Sequence, residues 1–290
     1  MSKYDAQQSY NISTKGLMII TKNTRGESMI GAIIGDIAGS RFERFNTKSK
    51  DFEFFLKGRC RFTDDSVMSL AICAAFLRSD DEYIDLSTNT IKYMQELGKR
   101  YPLAGYGGFF SKWLRSKDPQ PYNSFGNGAA MRVSACGYVG KSIDEVKELS
   151  HRVTEVTHNH PEGIKGAEAT AVAVFLAKNK VDKSEIRRYI QENYYDINYA
   201  LDFIRPIYVF DITCLGTVPP AIIAFLESTD FEDAIRNAIS LGGDSDTIAA
   251  ITGSIAGAYY GVSNNIREEA LTFLDEPLKN ILFEFEKKYL

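Results

Sequence analysis

Three observations on this chain of 290 residues predict an all-α fold, one compact domain built of many helices. From Met29 onward apolar residues recur at three and four residues, the spacing that lines one face of a helix. Alternating strand-like runs are almost absent, residues 207–210 being the one such run considered in that stretch. Glycine, alanine and serine gather where the acids are, as in Gly253, Ser254, Ala256, Gly257 and Gly261, and small residues let helix backbones approach closely.

Val67, Leu70, Ala71, Ala74 and Ala75 form one apolar stripe; Ile164, Ala167, Ala171 and Val174 form another, stopped by Lys178-Asn179-Lys180. Further helices are expected over residues 87–98, 107–116, 142–156, 183–192, 217–228, 231–240, 245–260 and 266–288. The longest apolar stretch, 248–262, is rich in small residues and falls short of the ~20 needed to cross a bilayer, so it reads as an interior helix. Residues 1–28 are polar and lack a sustained period. They read as a poorly structured extension with at most a short strand at Leu17-Met18-Ile19-Ile20, leaving 29–290 as the folded domain.

Hydrophobic residues at 44% and charged residues at 25% are ordinary for a soluble globular protein. A net charge of −4 gives no electrostatic reason to expect nucleic acid, and no membrane partner is expected. The cysteines, Cys60, Cys73, Cys136 and Cys214, are scattered without a CxxC pair, which fits a reduced, cytoplasmic setting; a monomer is expected.

The chemistry is concentrated in two acidic clusters about 180 residues apart, Thr63-Asp64-Asp65-Ser66 and Gly242-Gly243-Asp244-Ser245-Asp246-Thr247. Each opens a run that reads as a buried helix, so ordinary capping is one reading: threonine accepts from free N–H groups, and acids suit the positive end of the helix dipole. The other reading is metal. Burying several carboxylates without a partner is costly, and hard divalent cations prefer oxygen ligands. The near-mirrored order of the clusters favours a binuclear metal enzyme. An EF-hand is excluded, because its loop needs acids at alternating positions and a terminal Glu.

Other segments could complete such a site. Gly35-Asp36-Ile37-Ala38-Gly39-Ser40-Arg41-Phe42-Glu43 reads as a helix that ends at glycine and leaves Glu43 in a loop, either solvated or placed to activate water. Ser124-Phe125-Gly126-Asn127-Gly128-Ala129-Ala130-Met131-Arg132 could offer backbone N–H groups at its glycines to phosphate, helped by the dipole of the next helix. Gly105-Tyr106-Gly107-Gly108 is similar and adds an aromatic. The three histidines are His151, His158 and His160. With no cysteine beside them they argue against zinc, leaving helix capping or a hydrogen bond to a ligand phosphate or ribose.

Taken in order, GAIIGDIAGSRFE, FTDDS, GYGG, FGNGAAMRVS, THNHPEG and LGGDSDTIAAITGSIAGAYYG resemble the ADP-ribosylglycohydrolase family over roughly residues 29–265. The resemblance implies an orthogonal all-helical fold around two Mg²⁺ or Mn²⁺ ions. It also implies removal of ADP-ribose from a modified protein or small-molecule conjugate. Carried over by motif, Thr63, Asp64, Asp65, Asp244, Asp246 and Thr247 would be metal ligands. Glu43, Asp65 and Asp246 would be catalytic, with Asp36 in support. Gly105, Gly107, Ser124, Phe125, Gly126, Asn127 and His158 would line the ADP-ribose site. The family's first acidic motif often ends in threonine where this chain has Ser66, which keeps the hydroxyl. Arginine-linked ADP-ribose is the preferred substrate, with the serine linkage, the polymer and O-acetyl-ADP-ribose as alternatives. A non-catalytic ADP-ribose-binding module and a phosphoester hydrolase are the competing functions. Specificity is expected in the loops around 44–60 and 99–122.

Overall fold

Glycines four residues apart decide how the first helix packs. The computed structural model describes residues 28–290. Its helices are α1 (Ile30–Gly39), α2 (Asp64–Arg78), α3 (Leu86–Arg100), α4 (Gly108–Arg115), α5 (Ser134–Val139), α6 (Ile143–Thr154), α7 (Pro161–Lys178), α8 (Lys183–Asn193), α9 (Leu201–Ile204), α10 (Cys214–Leu226), α11 (Phe231–Ile239), α12 (Ser245–Tyr260), α13 (Asn264–Leu271) and α14 (Glu276–Tyr289), with a 3-10 turn at Asn127–Ala129. Gly31, Gly35 and Gly39 make one stripe of α1 and lie on α12. A Cβ on Gly31 would sit 2.2 Å from the Gly253 carbonyl oxygen, and one on Gly35 would sit 1.9 Å from that of Ala249. The two helices therefore meet backbone to backbone, and all of α1 is buried.

Around this pair one hydrophobic core is continuous. Helix α12 also packs on α7, α10 and α11; α2 packs on α3 and α14; α5 and α6 cover α7. No strand is present among the described residues; an isolated bridge joins Gly126 and Thr213. The fold is all-α, as the periodicity predicts.

Several expectations need correction. Residues 207–210 form no strand: Ile207, Val209 and Phe210 face solvent, and Tyr208 donates its hydroxyl to the Gly216 carbonyl at 2.9 Å. That carbonyl is free because Pro220, inside α10, has no N–H to give it. The helix expected from 217 begins at Cys214, capped by Thr213, whose hydroxyl accepts from Gly216 N at 3.0 Å. The single helix expected over 266–288 is two, because Asp275 caps a new start and Pro277 follows it. Helices α5 and α9 were not anticipated. Ser28 is buried, its hydroxyl 2.7 Å from Glu286 and its carbonyl accepting from Tyr138 at 2.9 Å. The rest of the expected extension 1–28, with the short strand at Leu17-Met18-Ile19-Ile20, lies outside the described residues. Among the described residues no helix is long and apolar enough to cross a membrane, and the four cysteines are buried and free.

Candidate metal centre and adjoining cavity

The close approach of α1 and α12 brings three helices' acids to one point. Thr63 caps α2, its hydroxyl accepting from Asp65 N at 3.3 Å. The Thr247 hydroxyl, at the start of α12, donates to Asp65 Oδ2 at 3.3 Å, so the N-termini of α2 and α12 face each other. Asp36, from the middle of α1, stands behind them. Its Oδ1 accepts from the Thr63 hydroxyl at 2.6 Å, and its Oδ2 accepts from Thr63 N at 2.8 Å, Ser66 N at 3.1 Å and the Ser66 hydroxyl. Oxygens of Asp36, Asp65 and Asp246 lie within 4.8 Å of one another. With both Asp36 oxygens occupied, Asp65 and Asp246 are the better donors to anything held there. Gly242 and Gly243, at φ +68° and +71°, make the left-handed turn that delivers Asp244.

Capping is thus real, but it leaves most of the negative charge uncompensated. Among the described residues no Lys, Arg or His pairs with Asp36, Asp64, Asp65, Asp244 or Asp246. Asp65 Oδ1 is buried with no partner at all. Burial and then the Asp36 charge push the Asp64 carboxyl up to about 7. Burial first, then neighbouring acids, hold Asp65 and Asp246 well above the usual carboxylate range. An orphaned carboxylate oxygen in such a field could hold a metal ion, and an all-oxygen donor set fits a hard divalent one.

Glu43 lies half-buried in the loop after α1, and its charge contributes to the raised values of Asp64, Asp244 and Asp246. Asn46 fastens that loop to the turn before Asp244. Its Oδ1 accepts from Gly243 N at 2.7 Å, and its Nδ2 donates to the carbonyls of Gly243 and Glu43, both at 3.1 Å, and of Phe42 at 2.6 Å. Sequence reading passed over Asn46; an exposed asparagine 197 residues from its partner gives no local signal.

One cavity of about 580 Å³ is lined by every predicted residue except the supporting Asp36: Glu43, Thr63, Asp64, Asp65, Asp244, Asp246 and Thr247 on its acidic wall, and Gly105, Gly107, Ser124, Phe125, Gly126, Asn127 and His158 elsewhere. A Cβ on Gly105, at φ +117°, would come 3.1 Å from Asp64 Oδ1. The glycine turn differs from expectation. Gly126 N already donates to the Ser124 hydroxyl at 3.2 Å and Asn127 N to the Ile212 carbonyl at 2.8 Å. The next helix is only the three-residue 3-10 turn, so its dipole adds little. Asn127 Nδ2 is spent on Asp244 at 2.6 Å and Thr217 at 3.1 Å, so this side chain steadies the acidic wall.

The histidines separate by role. His151 pairs with Glu155 at the surface, and His160 caps α7 by accepting from Glu162 N at 3.0 Å. His158 is buried against the cavity, its pKa pushed well below the usual histidine range by burial and then by the Arg132 charge. Arg132, present in the FGNGAAMRVS motif but not singled out there, is also buried in the cavity wall, 5.5 Å from the Phe110 ring centre. Burial lowers its pKa to about 10. Exposed Phe109 stacks on Tyr122 with ring centres 6.1 Å apart, and half-exposed Phe125 packs edge-on against His160 at 5.3 Å.

The family model described as ADP-ribosylglycohydrolase matches residues 22–284, further at both ends than the motifs reach. The chain is 28% identical to ADP-ribosylhydrolase ARH3 of Gallus gallus, the alignment covering 80% of this chain and 84% of that protein. It is 27% identical to ARH3 of Homo sapiens, over 81% and 84% of the two chains. It is 26% identical to ADP-ribosylarginine hydrolase Tri1 of Pseudomonas putida (strain GB-1), over 81% and 70%. A solved structure, an ADP-ribosylglycohydrolase-related protein complex, superposes with a TM-score of 0.67 at 21% identity, covering 90% of this chain and 96% of that one, a likeness of fold.

Proposed function

This chain belongs to the ADP-ribosylglycohydrolase family, and from that premise we propose that it is a metal-dependent hydrolase that removes ADP-ribose from a modified acceptor by cleaving the bond at the ribose anomeric carbon. The observation that carries this reading is the buried acid cluster, paired with no basic side chain among the described residues and with its orphaned Asp65 oxygen, opening on a cavity of about 580 Å³. That volume lies in the range of small-molecule sites, ~300–1,000 Å³.

Thr63, Asp64, Asp65, Asp244, Asp246 and Thr247 would hold two Mg²⁺ or Mn²⁺ ions. Bound there, the ions would supply a water of lowered pKa and charge stabilisation beside the sugar. Everything else falls to the chain. Asp36 fixes Thr63 and Ser66, and through them the first turn of α2. Glu43 faces the same cavity from a fastened loop, where it can accept a proton from the attacking water or orient the ribose hydroxyls. Asp65 and Asp246 set the geometry in which water and sugar meet. Gly105, Gly107, Ser124 and Gly126 leave room for the ligand backbone, Phe125 offers an apolar face to the base, and His158 offers a ring N–H.

Arginine is the acceptor to test first, being the linkage in the printed name of Tri1; serine, the polymer and the acetyl ester are the other arms of the same assay. The experiment is a panel of defined ADP-ribosyl conjugates incubated with Mg²⁺ or Mn²⁺, following release of free ADP-ribose. Release from at least one conjugate that stops in excess chelator is expected. Tight ADP-ribose binding with no product over hours would make the protein a binding module, and turnover of a generic phosphodiester alone would make it a phosphoesterase.

A further inference from the structure

Arg132 is among the largest fully buried side chains of the molecule, yet no carboxylate among the described residues pairs with it. Its Nε has no partner. A terminal guanidinium nitrogen lies 2.6 Å from the Thr157 hydroxyl and 3.2 Å from His158 Nδ1. A buried cation with neutral partners is costly where an apolar side chain of similar volume could pack. What the position gains is direction. A guanidinium has only donors, so the ring nitrogen facing it must be an acceptor. The Thr157 hydroxyl, accepting from Arg132, lies 2.7 Å from the same Nδ1 and 3.4 Å from the Thr154 carbonyl, so the ring nitrogen is the nearer acceptor for its proton. A proton on Nδ1 would instead set two N–H groups against each other.

A neutral imidazole with Nδ1 as acceptor carries its proton on Nε2. That nitrogen faces the glycine turn: a Cβ on Gly128 would lie 3.4 Å from it and one on Gly126 3.7 Å. The two glycines therefore keep open the space in front of the N–H.

We infer that Arg132 is a positioning residue that acts through His158. By donating to Nδ1 it fixes the imidazole as the Nε2–H tautomer and aims that N–H into the space beside Gly126 and Gly128, to meet an anionic oxygen of the ligand. The tautomer follows from this chain's own contacts; that the oxygen belongs to the diphosphate of ADP-ribose rests on the proposed function. The lowered pKa of His158 agrees, since burial and the Arg132 charge keep the ring neutral.

The test is histidine-selective ¹⁵N labelling of the full chain, in which three histidines give a simple spectrum. Without ligand at pH 7, His158 should show a protonated Nε2 and an unprotonated Nδ1. In Arg132→Met the other tautomer should become populated, and the Kd for ADP-ribose in Mg²⁺, by calorimetry, should rise about tenfold, as for one lost hydrogen bond. Arg132→Lys, which keeps a donor, should restore most of both, and Mg²⁺ binding measured alone should change in neither. A wild-type ring protonated on Nδ1 overturns the inference, as does a folded Arg132→Met protein with unchanged tautomer and Kd. Should Arg132→Met not fold, Thr157→Val decides: a retained Nε2–H tautomer supports Arg132 as the controlling donor, and a switched one overturns it. Because the spectra need no ligand, failure of the wild type to bind ADP-ribose would count against the functional reading and leave the tautomer test standing.

Discussion

The acidic wall and the glycine-histidine wall of the cavity are built by opposite means. The first is made of side chains at buried helix N-termini, Asp65 and Asp246, backed by Asp36 from the middle of α1, held by the close packing of α1 on α12 and paired with no Lys, Arg or His among the described residues. The second is made largely of loop, its N–H groups partly consumed locally, and it carries a cation, Arg132, with no anion to meet it. A cavity polarised in this way suits a ligand assembly that is itself polarised, with divalent cations at one side and a diphosphate at the other. It also separates what each wall tolerates: geometry at the acidic wall depends on the core, and geometry at the other depends on a few hydrogen bonds.

The largest expected effect tests whether the acidic wall is the reactive one. Asp246→Ala should lower turnover about a thousandfold or more and weaken Mg²⁺ binding, because it removes a proposed metal ligand where charge would develop, while far-UV circular dichroism stays unchanged. Wild-type rates of ADP-ribose release in this variant would end the assignment. Next, Gly35→Ala should cost about 3 kcal/mol in denaturant unfolding, since the added Cβ would lie 1.9 Å from the Ala249 carbonyl oxygen. A change under half that would mean that α1 and α12 separate easily and that the wall is not set by their contact.

The third prediction concerns pH without metal. Asp64 has its carboxyl raised from 3.8 to about 7, burial first and the Asp36 charge second. Between those values the folded protein holds a proton that the unfolded chain has lost, so this group's contribution to stability declines as pH rises through that window and is level above it. In chelator, Tm should therefore fall from pH 4.5 toward pH 7 more steeply in the wild type than in Asp64→Asn, and Mg²⁺ at pH 7.5 should raise it. Identical slopes in the two proteins would refute the assignment. The smallest effect is expected at Asn46→Ala, which removes the tie between the Glu43 loop and Gly243: about 1–2 kcal/mol of stability and a several-fold lower kcat, with Mg²⁺ affinity nearly unchanged. A purely structural loop contact would move Tm and leave kcat alone.

The acidic wall was legible in the sequence because its residues are neighbours along the chain. Thr63, Asp64 and Asp65, or Asp244, Asp246 and Thr247, announce themselves as dense charge before an apolar run, and Asp36 shares a short motif with the glycines that pack its helix. Asn46 and Arg132 were not legible, since each acts through partners that the chain brings near only when folded. Asn127 lines the cavity as the resemblance implies, and the structure adds what the sequence does not show, that its Nδ2 also donates to Asp244. Helix existence followed the apolar period well. Helix ends did not: Pro219 and Pro220 look like a helix start, and a tyrosine hydroxyl from a distant loop lets the helix begin earlier. Residues 207–210 read as the one strand worth considering, yet Ile207, Val209 and Phe210 face solvent and no strand forms.

Every residue of α1 is buried, and that sets the timescale on which the acidic wall can be dismantled. A helix enclosed on all sides has no local route to water, so its amide protons should exchange with deuterium only when the whole domain opens, among the slowest in the protein. The loop that follows it, with Glu43 and Asn46, should exchange early. Hydrogen exchange would then show a stationary floor beneath a moving rim, with Asp36 anchored in the floor.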